Sequence, residues 1–214
     1  MDHTLKPENS SDETIVLGLL NSVDQDGTRS QRYIAADLGI ALGLVNAYLK
    51  RCVKKGFVKI GEAPARRYAY YLTPQGFSEK SRLTVEYLSS SFSFFRQAKS
   101  DCMRLFDDAK AKGFRRIVLS GASDLSEIAI LCAVESGTTI IALVDSVTEQ
   151  TKFVGVSVVP SFEMLEEPFD AVMVTDVART REALDEAVSR CGKARVLVPR
   201  LLGLPANVLT GASA

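Results

Sequence analysis

Between Ser30 and Leu72 the apolar pattern changes period twice within a span too short for more than a few compact elements. Ile34, Ala35 and Leu38 recur at helical spacing after Ser30, a hydroxyl residue suited to cap a helix, and Gly39 ends the run. A second helical pattern starts almost at once, with Leu44, Val45, Tyr48, Leu49 and Val53 as its apolar face and Gly56 as its stop. The period then drops to two. Val58 and Ile60 make one strand, Tyr68, Tyr70 and Leu72 the other, around a proline-containing turn at 62–65. Two helices joined by a short turn and followed by a hairpin give the winged helix-turn-helix pattern.

Charge within this stretch is concentrated. Residues 29–67 hold nine bases and two acids, although the whole chain has net charge +0. Duplex DNA, a dense line of negative charge, is the natural partner of such a patch. Arg29, Lys50, Arg51, Lys54 and Lys59 are expected to contact phosphates, with Arg66 and Arg67 at the tip of the wing. Asn46 and the residues from Ala41 to Leu44, Gly43 among them, stand near the start of the second helix, where small and polar residues can approach base edges.

Before this stretch, residues 1–10 are polar, and Ser11 or Asp12 is expected to cap a first helix carrying Ile15, Val16, Leu19, Leu20 and Val23. After it, Thr73 and Pro74 form a helix start of hydroxyl cap and first-turn proline. The helical pattern runs to about Lys112, with a kink or break expected at the serine-rich residues 89–93. Tyr87, Leu88, Phe92, Phe95, Met103, Leu105 and Phe106 are too many large apolar groups for a helix bare on every side. A second copy of the chain is the expected cover, with the chain's own C-terminal part as the alternative.

The pattern changes again beyond Gly113. Short apolar runs at 116–120, 139–144, 156–159, 171–175 and 195–198 alternate with helical segments at 124–135, 161–166 and 179–191. Strands apolar throughout and separated by helices predict a parallel sheet covered on both faces. The fold class expected is therefore an α/β two-domain chain: a winged helix at 11–76, a linking helix at 77–113, and a small Rossmann-like sheet at 114–214. Ligands of such sheets sit beyond the carboxyl ends of the strands. That picks out residues 121–126 after the first strand, with Gly121, Ala122, Ser123 and Asp124 as candidates, 145–147 after the second, with Asp145 and Ser146, and 175–180 after the fourth, with Thr175 and Asp176.

Against the dinucleotide fingerprint GxGxxG, residues 121–126 keep only the first glycine, and Asp124 would oppose a phosphate at the helix start. The sequence thus establishes no cofactor. A nucleotide or sugar nucleotide remains open as an effector, NAD is disfavoured, and a domain used only for protein contacts is the other alternative. No histidine-based site, nucleophile elbow, Walker loop or CxxC pair is present, so no enzyme is expected. His3 is the one histidine, and the widely spaced Cys52, Cys102, Cys132 and Cys191 are expected as buried thiols rather than zinc ligands. With no leader pattern and no spanning apolar run, a cytoplasmic protein without membrane contact is expected.

Residues 30–99 resemble the MarR-type winged-helix regulators associated with exopolysaccharide gene clusters. The runs AADLGIALGLVNAYLKRCVKKGFVKI and RRYAYYLTPQGFSEKSRLTVEYL carry the likeness, and LTPQGFSEKSRLT is its most specific part. The resemblance implies a dimeric bacterial DNA-binding regulator, with residues 41–55 as recognition helix and Arg66 and Arg67 in the wing. Regulators of that kind end soon after the long helix, whereas this chain continues to residue 214. The added part is similar, more loosely, to redox-sensing repressors that join a winged helix to a Rossmann domain. Through GVSVVPSFEML it is also similar to the Rossmann-like domains of sugar-nucleotide acetyltransferases. Two further readings stay open: a nucleotide- or sugar-nucleotide-dependent Rossmann enzyme with an appended winged helix, and a protein-interaction adaptor.

Overall fold

A computed structural model describes residues 7–63 and 67–204. The chain divides into two compact units, residues 1–92 and 93–214.

In the first unit, α1 (Pro7–Gln25), α2 (Gln31–Leu38) and α3 (Leu42–Lys54) precede an antiparallel hairpin of β1 (Val58–Ala63) and β2 (Arg67–Leu72). Ser30 caps α2 as expected, its hydroxyl accepting from the Tyr33 N–H at 3.2 Å. Gly39 ends α2 in the left-handed region at φ 64°, a conformation glycine adopts without strain, and this permits the sharp turn into α3. Leu20, Ile34, Val45, Leu49, Val58 and Leu83 meet in one buried core. Gly27 lies so close to the Tyr70 backbone that an added Cβ would stand 2.0 Å from its carbonyl oxygen.

Two expectations change in this unit. The first helix begins at Pro7, so Asp12 is no cap; its carboxylate instead accepts from the Tyr48 hydroxyl and, at 3.2 Å, from Arg51. Leu44 is not part of the buried face of α3, where Cys52 packs instead; it is 40% exposed.

The helix α4 (Pro74–Ala111) starts where Thr73 and Pro74 placed it, with the Thr73 hydroxyl accepting from the Gly76 N–H at 3.0 Å. The expected break at 89–93 does not occur. Serine can satisfy its hydroxyl within a helix by bonding back one turn, as Ser91 does to the Tyr87 carbonyl at 2.9 Å.

The second unit is a six-stranded sheet. Its strands are β3 (Arg116–Ser120), β4 (Thr139–Val144), β5 (Lys152–Phe153), β6 (Val156–Val159), β7 (Ala171–Val174) and β8 (Val196–Leu197), in the order β5-β6-β4-β3-β7-β8. Helices α5 (Asp124–Ser136) and α6 (Thr180–Cys191) cross between strands, and a short 3-10 turn occupies Phe162–Met164. Five strands are parallel, as expected. The sheet as a whole is mixed, because β5 pairs antiparallel with β6 at its edge. Two residues are too few to show a period, so this strand left no mark in the sequence pattern.

Successive side chains of a strand point to opposite faces. Ile117 and Leu119 accordingly enter one core with α4 and α5, and Val118 enters another with α6. Burial on both faces is why the strands are apolar throughout. Cys102 and Cys132 lie in the first of these cores as free thiols, and burial pushes the Cys102 thiol up to about 12.

Candidate nucleic-acid interface and strand-end cavity

The buried side of α3 consists of Val45, Tyr48, Leu49 and Cys52. The opposite side is therefore the stripe Gly43, Ala47, Lys50 and Lys54, spaced i, i+4, i+7 and i+11, and all four are exposed. Ala41 precedes the helix as a cap residue with no side-chain bond, and an added Cβ at Gly43 would meet nothing within 4 Å. The outer side of α3 is thus slim near its start and doubly cationic further on. Lys59 is exposed on β1. Asn46 is half-buried and lines a cleft of about 420 Å³ between α3 and the hairpin, together with Gln31, Lys50, Lys54, Ile60 and Tyr68.

The arginines are held differently. Arg29 lies over the Tyr33 ring, 4.8 Å from its centroid, and 4.0 Å from Asp26. Arg51 turns toward α1, where it bonds Asp12 and lies 5.3 Å from the Tyr48 ring centroid. The Tyr48 hydroxyl first, and Arg51 after it, hold the Asp12 carboxyl below the ordinary aspartate value against the opposing effect of burial. Arg66 and the side chain of Arg67 lie outside the described residues. Sequence reasoning passed over Ala47, Gln31 and Tyr68. The i+4 step from Gly43 would have found Ala47, but no local pattern brings Gln31 and Tyr68 to α3.

A short cap, a left-handed glycine turn, an exposed second helix and an antiparallel hairpin together make the arrangement that lays a helix in the major groove. The comparison with family models agrees. Residues 12–59 match the winged helix-turn-helix DNA-binding family. The first unit therefore contains a winged helix-turn-helix DNA-binding domain. No curated protein matches the chain. Among the described residues no helix is long and apolar enough to cross a membrane, and no group of metal-ligating side chains comes together.

In the second unit four of the expected ligand residues, Gly121, Asp145, Ser146 and Asp176, line one cavity at the carboxyl ends of β3, β4 and β7; Ala122, Ser123 and Thr175 lie in the same loops but not in its walls, and Asp124 is exposed at the start of α5. The cavity holds about 160 Å³. Its loops are bonded to one another. The Thr175 and Asp176 N–H groups donate to the Ser120 carbonyl, and the Thr175 hydroxyl donates to the Gly121 carbonyl at 2.7 Å. Gly121 sits at φ 102°, and a Cβ there would stand 2.3 Å from the Asp176 Cβ.

Three of the N–H groups that would cradle a phosphate already have partners. The Ala122 N–H donates to Asp145 at 2.8 Å, the Ser123 N–H to the Ser126 hydroxyl, and the Leu125 N–H to the Ser123 hydroxyl. Asp145 also accepts from the Val147 and Thr148 N–H groups. Burial raises the Asp145 carboxyl, yet these three N–H donors and Arg179 outweigh it and hold the group below its ordinary value. Arg179, inside the expected segment 175–180 but not named as a candidate, lies 2.8 Å from Asp176 and 3.8 Å from Asp145. Glu182 and Glu186 also line the cavity, which thus has four acidic residues and one arginine in its walls.

Proposed function

We propose that this chain is a dimeric transcriptional regulator that docks α3 in the major groove of an operator. The observation that carries this reading is the exposed stripe Gly43, Ala47, Lys50 and Lys54 on the second helix of a winged helix-turn-helix domain. Lysines on that side neutralise phosphates and release counterions, so affinity falls steeply with salt. The test is fluorescence anisotropy of the full chain on DNA from upstream of its own gene, across a salt series. Tight binding that exceeds binding to random DNA, with a steep slope, is expected. Failure to bind any genomic fragment overturns the proposal and favours the protein-contact reading.

The dimer rests on α4. Every residue from 85 to 97 is exposed, and Val85, Leu88, Phe92 and Phe95 recur at steps of three, four and three. That spacing is the seam of a helix pair. A dimer also matches an operator of two half-sites.

The second unit recruits a partner or senses a small molecule. The internal partners of Ala122, Ser123 and Leu125, and the four carboxylates of the cavity, speak against a phosphate-bearing effector at the start of α5. Partner recruitment is the reading these features support better. The resemblance of residues 30–99 to exopolysaccharide-associated regulators supports a role in polysaccharide gene control.

A further inference from the structure

The sequence offered Leu44 both to the buried face of α3 and to the segment 41–44 expected near bases, and it stands outside the core. It is 40% exposed in the first turn of α3, and Leu42 beside it is 43% exposed. A single exposed leucine on a protein surface needs no explanation. Here two of them flank an exposed glycine in the turn that a helix-turn-helix presents to base edges. Ala47, one turn on, is exposed as well.

From Leu42 to Ala47 no residue is charged, and with Val45 buried and Asn46 half-buried the exposed ones are Leu42, Gly43, Leu44 and Ala47. Its lysines come later, at 50 and 54, and its one arginine, Arg51, is bonded to Asp12. The commonest specific guanine contact, a bidentate arginine or lysine, is thus not supplied by the first turns of α3. What those turns supply is apolar surface. The only apolar group on the floor of the major groove is the C5 methyl of thymine.

We propose that α3 reads its operator through thymine methyl groups, with Leu44 and Ala47 as the specificity-determining side chains. The open space around Gly43 lets the helix approach closely enough for that contact. Asn46, half-buried at the edge of the same turns, has the donor and acceptor pair that suits the adenine partner of a thymine. The inference rests on the DNA-binding reading and goes beyond it, because it names what is read.

The experiment is selection of duplexes from a random library by the full chain, followed by replacement of each thymine of the selected duplex with deoxyuridine. Deoxyuridine keeps the base pair and lacks only the methyl. The expected result is an A·T-rich core in each half-site, with one or two thymines whose replacement weakens binding by about 3–5-fold, the worth of one buried methyl group. The variants Leu44→Ala and Ala47→Gly should then bind the thymine and deoxyuridine duplexes more nearly alike. Leu44 is exposed, so its replacement leaves the core intact. A selected duplex in which no thymine methyl matters, or in which both variants discriminate as well as the parent, overturns this inference alone. If no duplex is selected, the DNA-binding reading fails, and this inference fails with it.

Discussion

Asp145 does for the second unit what a bound anion does at many helix starts. Its carboxylate gathers the N–H groups of Ala122, Val147 and Thr148 and faces Arg179. Asp145→Ala removes three acceptor contacts and leaves those donors in a half-buried loop, a loss of about 2–3 kcal/mol, read as a fall in the urea midpoint. The pH dependence follows from the direction of the shift. The folded carboxyl titrates below its ordinary value, so its stabilisation is complete above the unfolded aspartate value of about 4 and is lost as pH falls through the lower folded value. The parent's advantage over Asp145→Ala should shrink in that acid window and stay constant from pH 6 to 8. Gly121 is a second fixed point. Its φ of 102° and the 2.3 Å approach to Asp176 leave no room for a methyl, so Gly121→Ala should unfold the strand-end loops or fail to accumulate. In the first unit, Lys50→Ala and Lys54→Ala should each lower the slope of log affinity against log salt by about 1, the contribution of one phosphate contact. An unchanged slope removes that lysine from the interface.

At the scale of elements, α4 joins opposite environments in one helix. Leu83 near its start and Phe106 near its end are buried, while residues 85 to 97 are exposed. An isolated helical stretch of that length is marginal in water. If a second copy covers the seam, Phe92→Glu places a charge in it on each side. The expected outcome is a monomer by sedimentation at micromolar concentration, with the domain cores unchanged. A variant that stays dimeric removes the seam. The elements also show what the sequence could tell. Ser30, Gly39, Thr73 and Pro74 mark boundaries through local chemistry, and all four were readable. Asp12 looked like a cap because it precedes an apolar run, but the helix begins earlier and the carboxylate serves a contact 36 residues away. Leu44 fits a helical period as well as Val45 does, and only packing decides which of them the core takes. The edge strand β5 and the closing of the strand-end loops by Asp145 are tertiary facts. The sequence located Asp145, Asp176 and the segment holding Arg179 at strand ends, but not the pairing of that arginine with both carboxylates.

For the whole molecule, the decisive fact is that the two units have separate cores. Ile34, Val45 and Leu49 belong to one, while Leu119, Met173 and Phe106 belong to another. Cores that share no residue need not melt together. Calorimetry of the full chain should therefore show two transitions. Ile34 and Met173 are both fully buried, so truncating either leaves a cavity. Ile34→Ala should lower one transition and Met173→Ala the other, each by about 2–5 kcal/mol in the unit it touches. A single transition displaced equally by both variants would mean that the units fold as one. The same pair of variants bears on regulation. A partner bound to the second unit can change DNA affinity only if it favours one state of the first. With independent cores, α4 is the element through which that preference would pass, since its ends lie in both. Met173→Ala, measured below the melting point of its own unit, should then leave the affinity of the partner-free chain for DNA unchanged within about 2-fold, the scatter expected for distant independent sites. A larger change would show that the second unit already biases the first without any partner.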